Sequence, residues 1–172
     1  MSNRLLFIIG MPGAGKTSLG KRVASNLHLP FVDMDQRIQD IVGCTVSDFF
    51  AQWGEAAFRT AETNLLMHLT REPSSIVSTG GGTVLKWENR AIMRAHGLIV
   101  LIDRPIEEIQ SDIKLDRRPL LAEKGIEELE RLYHERIEIY REAADFIVDN
   151  RHGYAAGMRD LERIAKEQIH WQ

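Results

Sequence analysis

The segment Gly10-Met11-Pro12-Gly13-Ala14-Gly15-Lys16-Thr17 follows directly on the apolar run Leu5-Leu6-Phe7-Ile8-Ile9 and leads into an amphipathic stretch carrying Leu19, Val23, Ala24 and Leu27. It fits G-x-x-x-x-G-K-[ST], and strand, loop and helix occur in the order that gives the pattern its meaning. Glycines let the backbone curl until several N–H groups point at one anion, and the helix that follows adds the positive end of its dipole. The expected ligand is a triphosphate, wrapped by Gly13, Ala14, Gly15, Lys16, Thr17 and Ser18. Lys16 would reach the β- and γ-phosphates, and Thr17 would offer its hydroxyl to Mg2+. A glycine-rich turn that matched by chance would lack the flanking strand and helix.

Beyond this loop, short apolar runs alternate with helix-patterned stretches to the end of the chain, the mark of parallel strands joined by crossover helices. Strands are expected at 5–10, 31–33, 76–78, 98–103 and 146–148, and helices at 16–27, 34–42, 47–52, 54–70, 87–94, 106–113, 126–143 and 154–169. The fold class is α/β, three layers with a five-stranded parallel sheet between helices. Two regions break the rhythm. Residues 35–61 carry short helices in place of one crossover helix, and the charged, proline-containing stretch 112–125 reads as a mobile lid. In an open parallel sheet, ligands bind beyond the carboxyl ends of the strands. Both irregular regions leave from those ends, so they should frame and cover a second substrate.

With 172 residues, the chain has enough length for one well-buried core, and residues 1–172 are expected to form a single domain. The net charge of −3, with acidic and basic residues mixed, offers no broad basic face to a nucleic acid. The lone Cys44 has no partner for an internal disulfide and suits a reducing cytoplasm. Nothing ahead of the first strand reads as a signal peptide, and no apolar run reaches membrane-spanning length, so no membrane partner is expected. The six histidines show no ligand spacing, so any metal should arrive with the nucleotide.

Asp33-Met34-Asp35 ends the second strand, which aims both carboxylates at the phosphate site. Either could simply cap the next helix. Phosphoryl transfer, however, needs one carboxylate for the acceptor hydroxyl and another for Mg2+ or its waters. Arg59 and Glu62, three apart in a helical pattern, would by themselves be an ordinary surface pair. Gly80-Gly81-Gly82 at the end of the third strand removes side chains where a ligand can approach the backbone, or else is a loose turn. Arg117-Arg118-Pro119 lies in the expected lid, where an arginine can balance charge on a moving phosphoryl group. Arg136 sits in a charged helix, most of whose charges should be solvated.

Taken in order, the P-loop, the D-x-D of Asp33 and Asp35, F-R-x-x-E from Phe58 to Glu62, the triple glycine, R-P-L-L from Arg118 and R-x-x-x-Y from Arg136 to Tyr140 resemble the shikimate kinases. The resemblance runs from Phe7 to about Val148. It implies a P-loop kinase fold with a helical substrate-binding insertion at about 33–62 and a lid at about 112–125. It also implies transfer of the γ-phosphoryl group of ATP to the 3-hydroxyl of shikimate, in chorismate and aromatic amino-acid biosynthesis. Carried over, Lys16, Asp35 and Arg118 are the catalytic set, with Arg118 closing over the nucleotide. Thr17 and, through water, Asp33 hold Mg2+. Asp35, Arg59, Gly81, Gly82 and Arg136 bind shikimate, the two arginines clamping its carboxylate, and Glu62 steadies Arg59. Arg151 is expected beside the adenine. A cytoplasmic monomer is implied.

Two positions depart from the family pattern. Ser111 stands where many members carry an arginine near the adenine, and Glu138 stands where proline often follows the late arginine. From the residues alone, a gluconate or nucleoside monophosphate kinase stays open, since paired arginines bind any carboxylate or phosphate. A nucleotide-binding module without catalysis would call for a damaged catalytic set, and Lys16, Thr17, Asp33, Asp35 and Arg118 are all present.

Overall fold

The computed structural model describes residues 4–112 and 125–168. Its elements run β1 (Leu5–Ile9), α1 (Lys16–Asn26), β2 (Phe31–Asp33), α2 (Met34–Val42), α3 (Val46–Leu69), β3 (Ser75–Ser78) and a 3-10 turn at Thr83–Leu85. They continue with α4 (Trp87–His96), β4 (Gly97–Asp103), α5 (Ile106–Asp112), α6 (Gly125–Ala143), β5 (Phe146–Asp149), a second 3-10 turn at Asn150–His152 and α7 (Tyr154–Gln168).

All five strands are parallel, in the order β2-β3-β1-β4-β5. Every side chain of β1 is buried, as expected for the middle strand of a sheet covered on both faces, and this is why its sequence is apolar throughout rather than alternating. Helices α1 and α7 pack on each other in one layer, while α4 and α6 pack on the sheet in the other, with α3 against α4. The connection out of β1 runs toward one edge of the sheet, and those out of β3 and β4 run toward the other. The loop after β1 therefore stands where the connections reverse, the place where such sheets bind ligands.

The expected α/β/α architecture and strand positions are as read from the sequence. The two helices expected at 47–52 and 54–70 are instead the halves of one, α3, which is continuous except at Gly54, where φ is 77° and the axis kinks. Across the kink, Phe49 packs edge-on and Phe50 tilted against Phe58, with ring centroids 5.6 and 4.9 Å apart, holding the two halves together. Helix α2 is capped at its start by the Asp33 side chain, which accepts from the Gln36 N–H, and ends at left-handed Gly43. Among the described residues, no helix is long and apolar enough to cross a membrane. The expected lid lies mostly outside the described residues, as does Arg118.

Candidate active site

The loop between β1 and α1 turns inward because Gly13 and Gly15 take left-handed backbone angles, φ 82° and 99°, that a side chain would strain. Its carbonyl oxygens are held by protein donors. Lys16 Nζ donates to Gly10 and Met11 O at 2.9 Å each, Arg104 Nη1 to Gly13 O at 3.2 Å and Asn150 Nδ2 to Ala14 O at 3.0 Å. Gly15 O accepts from the Leu19 N–H and the Ser18 hydroxyl. With these acceptors satisfied on the protein side, the loop can present its N–H groups to an anion. Lys16 is 9% exposed. Burial pushes its ammonium down to about 8, against the pull of Asp35 and Asp33. Arg104 and Asn150 come from 91 and 136 residues away in the chain, and no local motif marks them.

Beside the loop, Thr17 Oγ1 donates to Asp33 Oδ2 at 2.6 Å and lies 3.3 Å from Ser78 Oγ. The sheet register pairs Asp33 with Ser78 and Ser78 with Ile8, so these oxygens share one level at the strand ends. Asp33 is thus both a helix cap and part of the site, one carboxylate oxygen for each task. Hard oxygens at this spacing suit Mg2+. A cleft of about 490 Å3, lined in part by Thr17, Asp33 and Asp35, opens here.

Asp35 Oδ1 and Glu62 Oε1 both lie against the α-carbon of Gly80, each 2.7 Å from where a β-carbon would stand. Burial raises the Asp35 carboxyl above its ordinary range, and the charges of Glu62 and Asp33 raise it further, with Lys16 and Arg59 opposing. Glu62 is completely buried. Its Oε2 accepts from Arg59 Nη1 at 2.6 Å and its Oε1 from the Thr83 hydroxyl. The pair is therefore not the surface pair its spacing alone would suggest. Glu55 also accepts from Arg59. Although burial opposes it, Glu62 and then Glu55 raise the Arg59 guanidinium still higher, so it is permanently charged.

The triple glycine ties this cluster to α6. The Tyr140 hydroxyl donates to Gly81 O. Burial raises that hydroxyl, while Arg136 and Arg59 pull it down, Arg136 also by a hydrogen bond. Arg59 and Arg136, 77 positions apart in the chain, thus both bring positive charge to one tyrosine beside the triple glycine. Glu138 is 72% exposed and pairs with Arg141 at 2.8 Å. The Ser111 hydroxyl donates to Glu108 O within its own helix. Arg151 is exposed and bonded to Asp149, at the turn after β5. The sequence reading did not single out Ser78, Thr83, Arg104 or Asn150; only their neighbours in space mark them.

A family model described as shikimate kinase matches residues 12–170. A shikimate kinase of Clostridium beijerinckii is 41% identical over 150 residues, 87% of each chain. One of Aromatoleum aromaticum is 41% identical over 162 residues, 92% of this chain and 93% of that one. The solved structure of an Acinetobacter baumannii shikimate kinase in complex with shikimate superimposes with a TM-score of 0.85 at 31% identity, covering 98% of this chain and 96% of that one.

Proposed function

The chain belongs to the shikimate kinase family, and from that membership and the geometry of the site we propose that it transfers the γ-phosphoryl group of ATP to the 3-hydroxyl of shikimate. The observation that carries this reading is the convergence of Asp35, Arg59 with its buried Glu62, and Arg136 with Tyr140 around Gly80 to Gly82, next to the phosphate loop. A small anionic polyol needs a cationic clamp at one end and a carboxylate at the reacting hydroxyl, and these residues offer both.

In this reading Lys16 leaves the carbonyls of Gly10 and Met11 to meet the nucleotide's phosphates. Thr17 and, through water, Asp33 hold Mg2+, which when bound neutralises charge on the β- and γ-phosphates. Arg59 and Arg136 bind the shikimate carboxylate, and Gly81 and Gly82 receive the ring close to the backbone. The 3-hydroxyl oxygen forms a bond to the γ-phosphorus while the bond from that phosphorus to the β,γ-bridging oxygen breaks. The hydroxyl proton passes to Asp35 and ADP leaves. The raised carboxyl of Asp35 suits it to accept that proton. Arg118 is assigned to the nucleotide from the resemblance, and Arg151 to the adenine side. One chain acting as a cytoplasmic monomer completes the reading.

The deciding experiment is shikimate-dependent release of ADP by the purified protein with Mg2+ and ATP, run beside gluconate and nucleoside monophosphates. Turnover with shikimate and not with the others is expected. Preference for another acceptor would refute the assignment.

A further inference from the structure

We infer that Thr83 is a positioning residue that commits the Glu62 carboxylate to Arg59 and thereby sets the affinity of the anion clamp. The inference rests on the reading that Arg59 holds the acceptor's carboxylate. Thr83 is fully buried. Its hydroxyl donates to Glu62 Oε1, while Arg59 Nη1 donates to the other oxygen, Oε2.

Thr83 is itself held on both sides. Its N–H donates to Gly80 O at 3.2 Å, and its carbonyl accepts from Asn89 Nδ2 at 2.8 Å. Asn89 is also fully buried, and its Oδ1 accepts from the Thr63 hydroxyl at 2.8 Å. A closed polar chain thus runs from α4 through the 3-10 turn back to α3, and it leaves the Thr83 hydroxyl little freedom to turn. Such a chain holds its members when every group is paired.

The hydroxyl faces a specific problem. Glu62 Oε1 and Asp35 Oδ1 converge over Gly80, where two unscreened carboxylate oxygens would repel. A donor on Oε1 stabilises Glu62 in this orientation and leaves Oε2 for Arg59. Without it, a buried acceptor stands unpaired and the carboxylate gains by rotating, which unseats the guanidinium. Valine has the shape of threonine without the donor, and serine has the donor without the methyl group.

The test compares wild type, Thr83→Val, Thr83→Ser and Thr83→Ala by steady-state kinetics and thermal melting. Loss of one hydrogen bond to a charged group predicts a rise of about tenfold in the KM for shikimate in the Val and Ala variants, with kcat and the KM for ATP changed less than about twofold. Thr83→Ser should restore the wild-type KM. In an Arg59→Ala background, Thr83→Val should add no further loss, since the two act in series. A wild-type KM in either folded variant without the hydroxyl, or a Ser variant as impaired as Val, overturns the inference. Failure of wild type to use shikimate at all would instead overturn the functional reading on which it rests.

Discussion

The guanidinium of Arg59 lies directly over the α-carbon of Gly82, so close that a β-carbon there would overlap its terminal nitrogens and Cζ. Gly82 has ordinary backbone angles, φ −97° and ψ −2°, so alanine is excluded by the arginine and not by the chain. The displaced atoms would be the far end of a flexible side chain. That guanidinium is also the partner of the buried Glu62 carboxylate, so Gly82→Ala should lower the melting temperature as well as kcat/KM for shikimate, the latter by about tenfold or more, the loss of one charged hydrogen bond. Steady-state kinetics beside a thermal melt check both halves.

Arg59 and Arg136 both act on the Tyr140 hydroxyl, and in the proposed reading they also share one anion. At about 1.5–3 kcal/mol for a hydrogen bond to a charged group, Arg136→Ala should lower kcat/KM for shikimate between roughly ten- and a hundredfold or somewhat more. The KM for ATP should move much less. The double variant with Arg59→Ala should lose less than the two single losses combined. Strict additivity, or equal use by wild type of an analogue without the carboxylate, would refute the clamp.

Lys16, pushed down to about 8 by burial, is partly neutral at mildly alkaline pH before nucleotide arrives. A bound triphosphate favours the charged form, so binding should take up protons, and affinity for ATP should fall as pH rises through about 8 and beyond. Calorimetry in buffers of different ionisation enthalpy measures the uptake. Lys16→Met should abolish both the proton uptake and turnover while the protein remains folded, because the lysine supplies charge to the site rather than packing. The sign for folding is the reverse of that for binding. Between about 8 and the usual lysine value of 10.5, the unfolded chain holds the proton and the native state does not, so stability contributed by this group rises with pH.

The Asp35 carboxyl is raised by burial and then by Glu62 and Asp33. Between the ordinary carboxylate value and this raised one, the native state retains a proton that the unfolded chain has released. The group therefore lowers stability as pH rises through that window. Asp35→Asn should accordingly melt above wild type at pH 7 and yet lose roughly a hundred- to ten-thousandfold in kcat, the usual contribution of a positioned base. A variant that is both less stable and active would contradict each half. The acid limb of the wild-type rate profile should lie above the ordinary carboxylate range.

Much of this protein is legible in its sequence because the relevant physics is local. Left-handed glycines, the lysine and the threonine that follow are contiguous, so the phosphate loop reads directly from residues 10–17. Strand and helix periodicity placed the crossover units, and strand ends placed Asp33, Asp35 and the triple glycine at one edge of the sheet. The spacing of Arg59 and Glu62 was equally visible, but three residues apart on a helix is the same pattern whether the pair is solvated or buried.

Burial of Glu62, and with it the strength of the clamp, was decided only when the turn at Thr83–Leu85 and α4 closed over α3. Likewise, the sequence determines that the loop can point its N–H groups inward, since this depends on φ at its own glycines. It does not determine which side chains will hold the carbonyls on the other side. Arg104 and Asn150 reach the loop because β4 lies beside β1 and β5 beside β4 in the strand order, bringing distant residues to the loop. Backbone conformation is a property of neighbours in the chain, whereas desolvation and hydrogen-bond satisfaction depend on neighbours in space, which only the assembled sheet and its helices supply.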